Sequence, residues 1–204
     1  LNLYYMDYHD QLVLNGKQSD VGGKLSENVA SSHRMGAELN ASWKICPMLR
    51  WDLAGAVSKN QIKRYNLYAW SDLAGDEVLT TYDRTPIAYS PQLVLSNTLT
   101  FTHRAFEAAL TSQYVGMQYL DNTGSRERSL PAYHVASLRL GYELPVHFVR
   151  SWSISLQINN LFDARYSSNG GAGYTFDKKG AISSYTWTYP QAGIHAFLGT
   201  TITI

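Results

Sequence analysis

Eight segments of this chain read as strands, most of them alternating apolar and polar residues with a period of two, and the breaks between them run long, short, long, short, long, short, long. A period of two marks a strand whose two faces meet different surroundings. The cleanest case is residues 34–45, where Met35, Ala37, Leu39, Ala41, Trp43 and Ile45 share one face and Arg34, Gly36, Glu38, Asn40, Ser42 and Lys44 the other. A soluble sandwich has no reason to sort its long connections to one end and its tight turns to the other. An antiparallel transmembrane β-barrel does, because its extracellular loops are long and its periplasmic turns short. The segments also reach the roughly 9 to 11 residues that a tilted strand needs to cross the hydrocarbon core.

Taken in order, residues 1–14 are strand-like but mixed in phase, and Asn15-Gly16 ends them before a polar loop that runs to Ser32. Residues 49–61 place Trp51, Leu53, Gly55 and Val57 opposite Asp52, Ala54, Ala56 and Ser58, and the longest break, residues 62–91, follows. Strand character returns over 92–102 and, less regularly, over 105–119, with His103-Arg104 as the turn between them. The loop 120–131 holds Asp-Asn-Thr-Gly-Ser, strong turn chemistry. Residues 133–144 and 150–159 are the next strands, the second with Trp152, Ile154, Leu156 and Ile158 against Ser153, Ser155, Gln157 and Asn159. A Gly-rich loop, 164–188, leads to a last strand over 191–204.

Composition agrees with a barrel. Charged residues are 16%, against roughly 25% in soluble domains, while Tyr reaches 15 and Trp 5. A formal net charge of +1 gives no basic footprint for nucleic acid. No run of 18 apolar residues encodes a membrane helix, and any signal peptide lies upstream or is absent. The single Cys46 forms neither an internal disulfide nor a cysteine-based zinc site, and is expected to be a small buried or lipid-facing side chain. No hydrolase, P-loop, zincin or calcium-loop motif is present. His9 with Asp7 and Asp10 comes nearest to a metal cluster, but adjacent strand residues point to opposite faces. No catalytic residue, metal site or cofactor is therefore expected, and the chain is not read as an enzyme.

Several short motifs then stand in a telling order: Tyr4-Tyr5-Met6-Asp7-Tyr8 with Gln11-Leu12-Val13, the run Arg34-Met35-Gly36-Ala37-Glu38-Leu39, Pro131-Ala132-Tyr133, and Asn160-Leu161-Phe162-Asp163 with Tyr166. Together they resemble the C-terminal part of the barrel of TonB-dependent outer-membrane receptors. The resemblance implies an all-β fold, with residues 1–204 as about eight C-terminal strands of a 22-stranded barrel and no plug domain among them. It implies residence in the bacterial outer membrane, in contact with its lipid, and uptake of a small-molecule ligand, most often a ferric siderophore or similar iron chelate. Energy would come from the TonB complex acting through a plug outside these residues. Members of the family usually end on an aromatic residue, whereas this chain stops at Thr203-Ile204, so either one or a few further residues or a degenerate signal is expected.

The aromatic residues divide into two sets. Trp43, Trp51 and Trp152 stand beside the short turns, where a periplasmic interfacial girdle is expected. Tyr65, Tyr68 and Trp70, and Tyr174, Phe176, Tyr185, Trp187 and Tyr189, lie in or beside two long loops, as upper girdle or as rings to stack on a flat ligand. Arg64 and Arg84 suit an anionic ferric chelate, and Asp72, Asp76, Glu77 and Asp83 are expected to be solvated loop acids. Two other readings remain: a soluble β-sandwich that binds carbohydrate, and a self-closed eight-stranded barrel in which the first strand pairs with the last.

Overall fold

In a computed structural model, which describes residues 1–18, 21, 23–176 and 182–204, one sheet dominates. Its wall consists of β1 (Asn2–Tyr8), β4 (Ser32–Cys46), β5 (Leu49–Ser71), β7 (Leu93–His103), β8 (Phe106–Val115), β11 (Tyr133–Glu143), β12 (Ser151–Asn159) and β15 (His195–Thr203). They pair in the order β1-β4-β5-β7-β8-β11-β12-β15, each antiparallel to its neighbour. The other strands belong to the long connections: β2 (Gln11–Gln18) with β3 (Lys24–Val29), β6 (Asp76–Pro86), the two-residue β9 (Gln118–Tyr119) and β10 (Ser129–Leu130), and β13 (Ser167–Phe176) with β14 (Ile182–Pro190).

Register joins the apolar faces into one surface. Ala37 pairs with Val57, Ala41 with Leu53 and Trp43 with Trp51; Trp51 pairs in turn with Leu99, Leu99 with Leu110, and Leu110 with Leu138. The opposite face is polar: Ser42 lies across from Asp52 and Asp52 from Thr98. On that face the Ser42 hydroxyl donates to Asp52 Oδ1 at 2.6 Å and Arg139 donates to Glu107 at 2.7 Å. One apolar face turned to lipid and one polar face turned to the lumen is the arrangement a barrel wall requires.

The short connections gather at one end. Arg104, in a left-handed conformation at φ 52°, turns β7 into β8, while His103 itself still belongs to β7. Trp43 and Trp51 sit at this end, and Trp152 donates its indole N–H to Thr200 Oγ1 at 2.7 Å. Cys46 closes β4, half-buried and unpaired.

Several sequence expectations need correction. The segment 1–14 cannot be phased because it is two strands of different sheets, divided at Asp10, whose φ is 55°. Asn15-Gly16 does not end it; both lie inside β2, where the register shifts between Leu14 and Gln18. The supposed loop 62–91 is mostly strand: β5 continues to Ser71 and pairs with β6. Likewise 164–188 is largely the β13–β14 hairpin, and 105–119 leaves the wall after Val115. In each extramembrane hairpin the backbone satisfies its hydrogen bonds without lipid to impose a clean alternation of side chains.

Among the described residues β1 and β15 are the two edges of the wall and do not pair with each other, which removes the self-closed eight-stranded barrel. Among the described residues no second sheet covers the apolar face, as a sandwich would need. The buried core lies instead above the wall, in the long connections, where Val13, Val29, Ile62, Tyr65, Leu67 and Ile87 pack together.

Candidate ligand-binding cap

The upper part of β5 organises the cap. Tyr65, Leu67, Ala69 and Ser71 alternate on its buried face, while Arg64, Asn66, Tyr68 and Trp70 take the other. Tyr65 donates its hydroxyl to the Leu14 carbonyl at 3.0 Å, fixing the β2–β3 hairpin against β5. Thr175 and Phe176 of β13 pair in parallel with Trp70 and Ser71, so the last long connection folds back onto the same strand.

These elements enclose a cavity of about 250 Å³ lined by Tyr65, Tyr68, Trp70 and Tyr185, with Lys17, Glu77 and Asp121 as its charged groups. Lys17 lies 4.1 Å from the centroid of the Tyr68 ring and 3.0 Å from Glu77 Oε2. Its pKa is raised above the ordinary 10.5, first by the hydrogen bond to Glu77; desolvation opposes that rise, and the same carboxylate's charge adds to it. A cation held between a carboxylate and an aromatic face ties β2 to the β5–β6 hairpin at the cavity's rim.

The connection between β8 and β11 supplies the cavity's inner wall. Arg128 Nε donates to Asp121 Oδ2 at 2.5 Å, both side chains being under a tenth exposed. Asp121 Oδ1 accepts from the backbone N–H and hydroxyl of Thr123 at 2.9 and 2.6 Å. Between them Asn122 accepts from the Ala88 N–H at 2.8 Å and donates to the Leu14 carbonyl at 3.2 Å, joining three connections at one side chain. Tyr89 adds a fourth, donating to the Gly170 carbonyl at 3.0 Å. Burial pushes the Tyr89 phenol upward, with Asp121 and Tyr189 adding to the shift.

Of the residues expected to meet ligand, Tyr68 and Trp70 line the cavity, as do Tyr65 and Tyr185 of the same aromatic sets. Trp187 does not: it lies over Gly171 on β13, as Tyr185 lies over Gly173, and it lines a separate groove with Tyr89 and Tyr189. Tyr174 and Phe176 have their backbone in β13, but their side chains lie outside the described residues. Arg64 is exposed, 3.6 Å from Asp83, and Arg84 is exposed at a φ of 55°; neither lines the cavity. Lys17, Asp121 and Asn122 are cavity residues that sequence reasoning missed, and the only signal for the last two was the turn chemistry of Asp-Asn-Thr-Gly-Ser. Asp7 and His9 are exposed and 3.7 Å apart, and among the described residues no group of His, Cys, Asp or Glu could hold a metal ion.

The Asn160-Leu161-Phe162-Asp163 motif has a structural task. Asn160, buried at φ 50°, accepts from the Ala164 N–H and donates to the Ala164 and Ala192 carbonyls, and Asp163 accepts from the Ile194 N–H at 2.8 Å. The motif therefore fastens the base of the last long connection between β12 and β15.

Comparison with known proteins agrees with this architecture. The family described as TonB dependent receptor-like, beta-barrel matches residues 1–161. A pesticin receptor of Yersinia enterocolitica serotype O:8 is 24% identical over 169 residues, covering 82% of this chain and 22% of its own length. A pesticin receptor of Yersinia pestis is 25% identical over 145 residues, covering 70% and 19%. The siderophore receptor PiuA from Acinetobacter baumannii superposes with a TM-score of 0.68 at 16% identity, over 97% of this chain and 24% of that one. The ferric-catecholate import receptor Fiu from Escherichia coli K12, in its closed form, does so with a TM-score of 0.60 at 19% identity, over 97% and 24%. The chain spans about a fifth of the length of the curated relatives it matches. With four-fifths of its sequence matched and its wall, turns and cap in place, the chain belongs to the TonB-dependent receptor-like β-barrel family, receptors of the outer membrane and not enzymes.

Proposed function

We propose that residues 1–204 form the C-terminal portion of the barrel of a receptor for TonB-dependent uptake of a scarce ligand, a ferric siderophore or similar iron complex. The observation that carries this reading is the aromatic cavity at the extracellular end, with Tyr68 and Trp70 on its wall and Lys17 at its rim. Such a site stacks flat rings and tolerates an anionic chelate beside the ammonium. Proteins of similar fold are named for ferric-catecholate import, ferric yersiniabactin uptake and ferripyoverdine, which supports iron complexes as the ligand class. The β13–β14 hairpin, which carries Tyr174, Phe176 and Trp187 in its strands, would be a second contact set, and the exposed Arg64 and Arg84 would meet an anionic chelate outside the cavity. TonB would act through a plug that these residues do not include, and outer-membrane lipid would surround the apolar face.

The test is uptake of a radiolabelled ferric catecholate by cells carrying the full-length receptor. Each of Tyr68→Ala and Trp70→Ala is expected to weaken half-saturation by about threefold to tenfold, as the loss of one stacked ring implies, with barrel assembly on gels unchanged. Uptake that survives both substitutions intact would sink the cavity as the ligand site.

A further inference from the structure

Two residues further along β14 than the cavity's Tyr185, a second groove opens. Its volume is about 550 Å³, within the roughly 300–1,000 Å³ of small-molecule sites, and Tyr89, Trp187 and Tyr189 border it together with Gln118, Ser168 and Asn169. Tyr185 and Trp187 stand ring to ring at 5.9 Å, so groove and cavity are neighbours. They differ in charge. The cavity wall holds Lys17, Glu77 and Asp121, whereas the described residues that line the groove carry no charged side chain. Its rings are held from behind. Trp187 packs against the backbone of Gly171, where no Cβ would fit, so one face of the indole is covered and the other is left for a ligand. Tyr89 sits at φ 54°, a left-handed backbone that residues other than glycine seldom adopt, and its hydroxyl is tied to the Gly170 carbonyl.

Gln118 gives the groove its polarity. It lies in β9, paired through its backbone with the fully buried Leu130, and is itself only 8% exposed. Yet its side-chain amide has no hydrogen-bond partner among the described residues. Buried polar groups are nearly always paired, and a primary amide offers two donors and an acceptor. An amide left open beside a groove is completed by what enters it. Asn169 adds another: its Oδ1 accepts the Gly170 N–H at 2.7 Å, and its NH2 is unpartnered among the described residues. Aromatic faces beside neutral amides select an uncharged ligand with an apolar C–H face and hydroxyls around its edge. A pyranose ring has that form. A ferric chelate finds no cation here, and a plain aryl ring would seal the Gln118 amide from water without a partner.

We propose that this groove is a saccharide site, in which a neutral pyranose ring stacks on Trp187 and Tyr189 and hydrogen-bonds to the amides of Gln118 and Asn169. The site is separate from the cavity and goes beyond the ferric-complex reading. The sugar arrives either as a free glycan or as a unit appended to a transported chelate, and the test separates the two. Full-length receptor, fluorescently labelled and held in a detergent without a sugar headgroup, is applied to an array of neutral glycans. At least one glycan is expected to bind, with Gln118→Met and Trp187→Ala each weakening it about tenfold or more. Uptake of an unglycosylated ferric catecholate is expected to be unchanged in Gln118→Met. Tyr189→Ala carries the test if Gln118→Met does not assemble. A glucosylated ferric catecholate supplies the second arm. Loss of its uptake alone in Gln118→Met assigns the sugar to the transported ligand, and array binding without that loss assigns it to a free glycan. The proposal is overturned if no glycan binds and the two chelates respond alike, or if Gln118→Met leaves glycan binding undiminished. It is equally overturned if catechol displaces the glycan, which indicates an aryl site.

Discussion

Asn122 donates a hydrogen bond to the carbonyl of Leu14 across 108 positions of sequence, at 3.2 Å, while its side-chain oxygen holds the Ala88 N–H. Replacing it with alanine leaves the half-buried Ala88 N–H without its partner and takes one of two hydrogen bonds from the Leu14 carbonyl, which Tyr65 still meets, at about 0.5–1.5 kcal/mol of local stability per bond. Asn122→Ala is therefore expected to accelerate amide exchange of residues 12–17 and 86–90 together, leaving the wall strands protected. Exchange that rises in only one of these segments would show that the cap is not joined at this side chain.

Asp121 and Arg128 form an ion pair that is nearly closed to solvent. Removing one member strands a buried charge, which costs about 3–5 kcal/mol, whereas replacing both with apolar residues of similar volume is often neutral. Asp121→Ala should make residues 120–130 sensitive to protease in intact cells, and Asp121→Leu/Arg128→Met should restore resistance. Equal sensitivity of the single and double variants would show that Thr123 and the turn itself hold the loop.

The Lys17–Glu77 clamp predicts a pH effect of definite sign. Because the lysine's pKa is raised in the folded chain, the contact's contribution is fully present below the ordinary 10.5 and is lost as pH rises above it. Both groups are part exposed, so salt should weaken the clamp as well. Glu77→Gln is expected to return the Lys17 titration toward its ordinary value, read by NMR of isotopically dimethylated lysines. An unchanged titration would remove Glu77 as the cause.

Gly36 lies beneath the Tyr4 ring: a Cβ there would stand 2.6 Å from the Tyr4 hydroxyl and 2.5 Å from the Val57 carbonyl oxygen. Gly36→Val should lower barrel stability by about 1–3 kcal/mol, the usual cost of overpacking, measured by urea unfolding in lipid vesicles. Tyr4→Ala in the same chain should recover only part of the loss, because the Val57 backbone cannot move aside as a ring can.

The wall was legible in the sequence and the cap largely was not. In β4 and β12 lipid on one side and water on the other force strict alternation, so Met35 to Ile45 and Trp152 to Ile158 announce both strand and face. In the cap, water meets most surfaces, and strand pairing is set by partners within the hairpins. The alternation of Tyr65, Leu67, Ala69 and Ser71 with Arg64, Asn66, Tyr68 and Trp70 is present, yet without knowledge of β2 packed behind it nothing marks which set is buried. Lys17 meeting Glu77, and Asp121 meeting Arg128 inside a turn, depend on distances in space that no spacing in the chain encodes. Arg64 and Arg84 were chosen for their chemistry alone, and their places on β5 and β6 lie away from the cavity.

Tyr89 reaches the Gly170 carbonyl across 81 positions, and this bond has a consequence for timing. Closing a chain loop of that size carries an entropic cost that is recovered only once the strands on either side are in register. The receptor's outward surface is thus expected to order last, after the wall from β7 to β12 has zipped, so that a stalled barrel shows the outside world no finished binding face. An antibody against the completed cap would then count mature receptors and ignore those still under assembly.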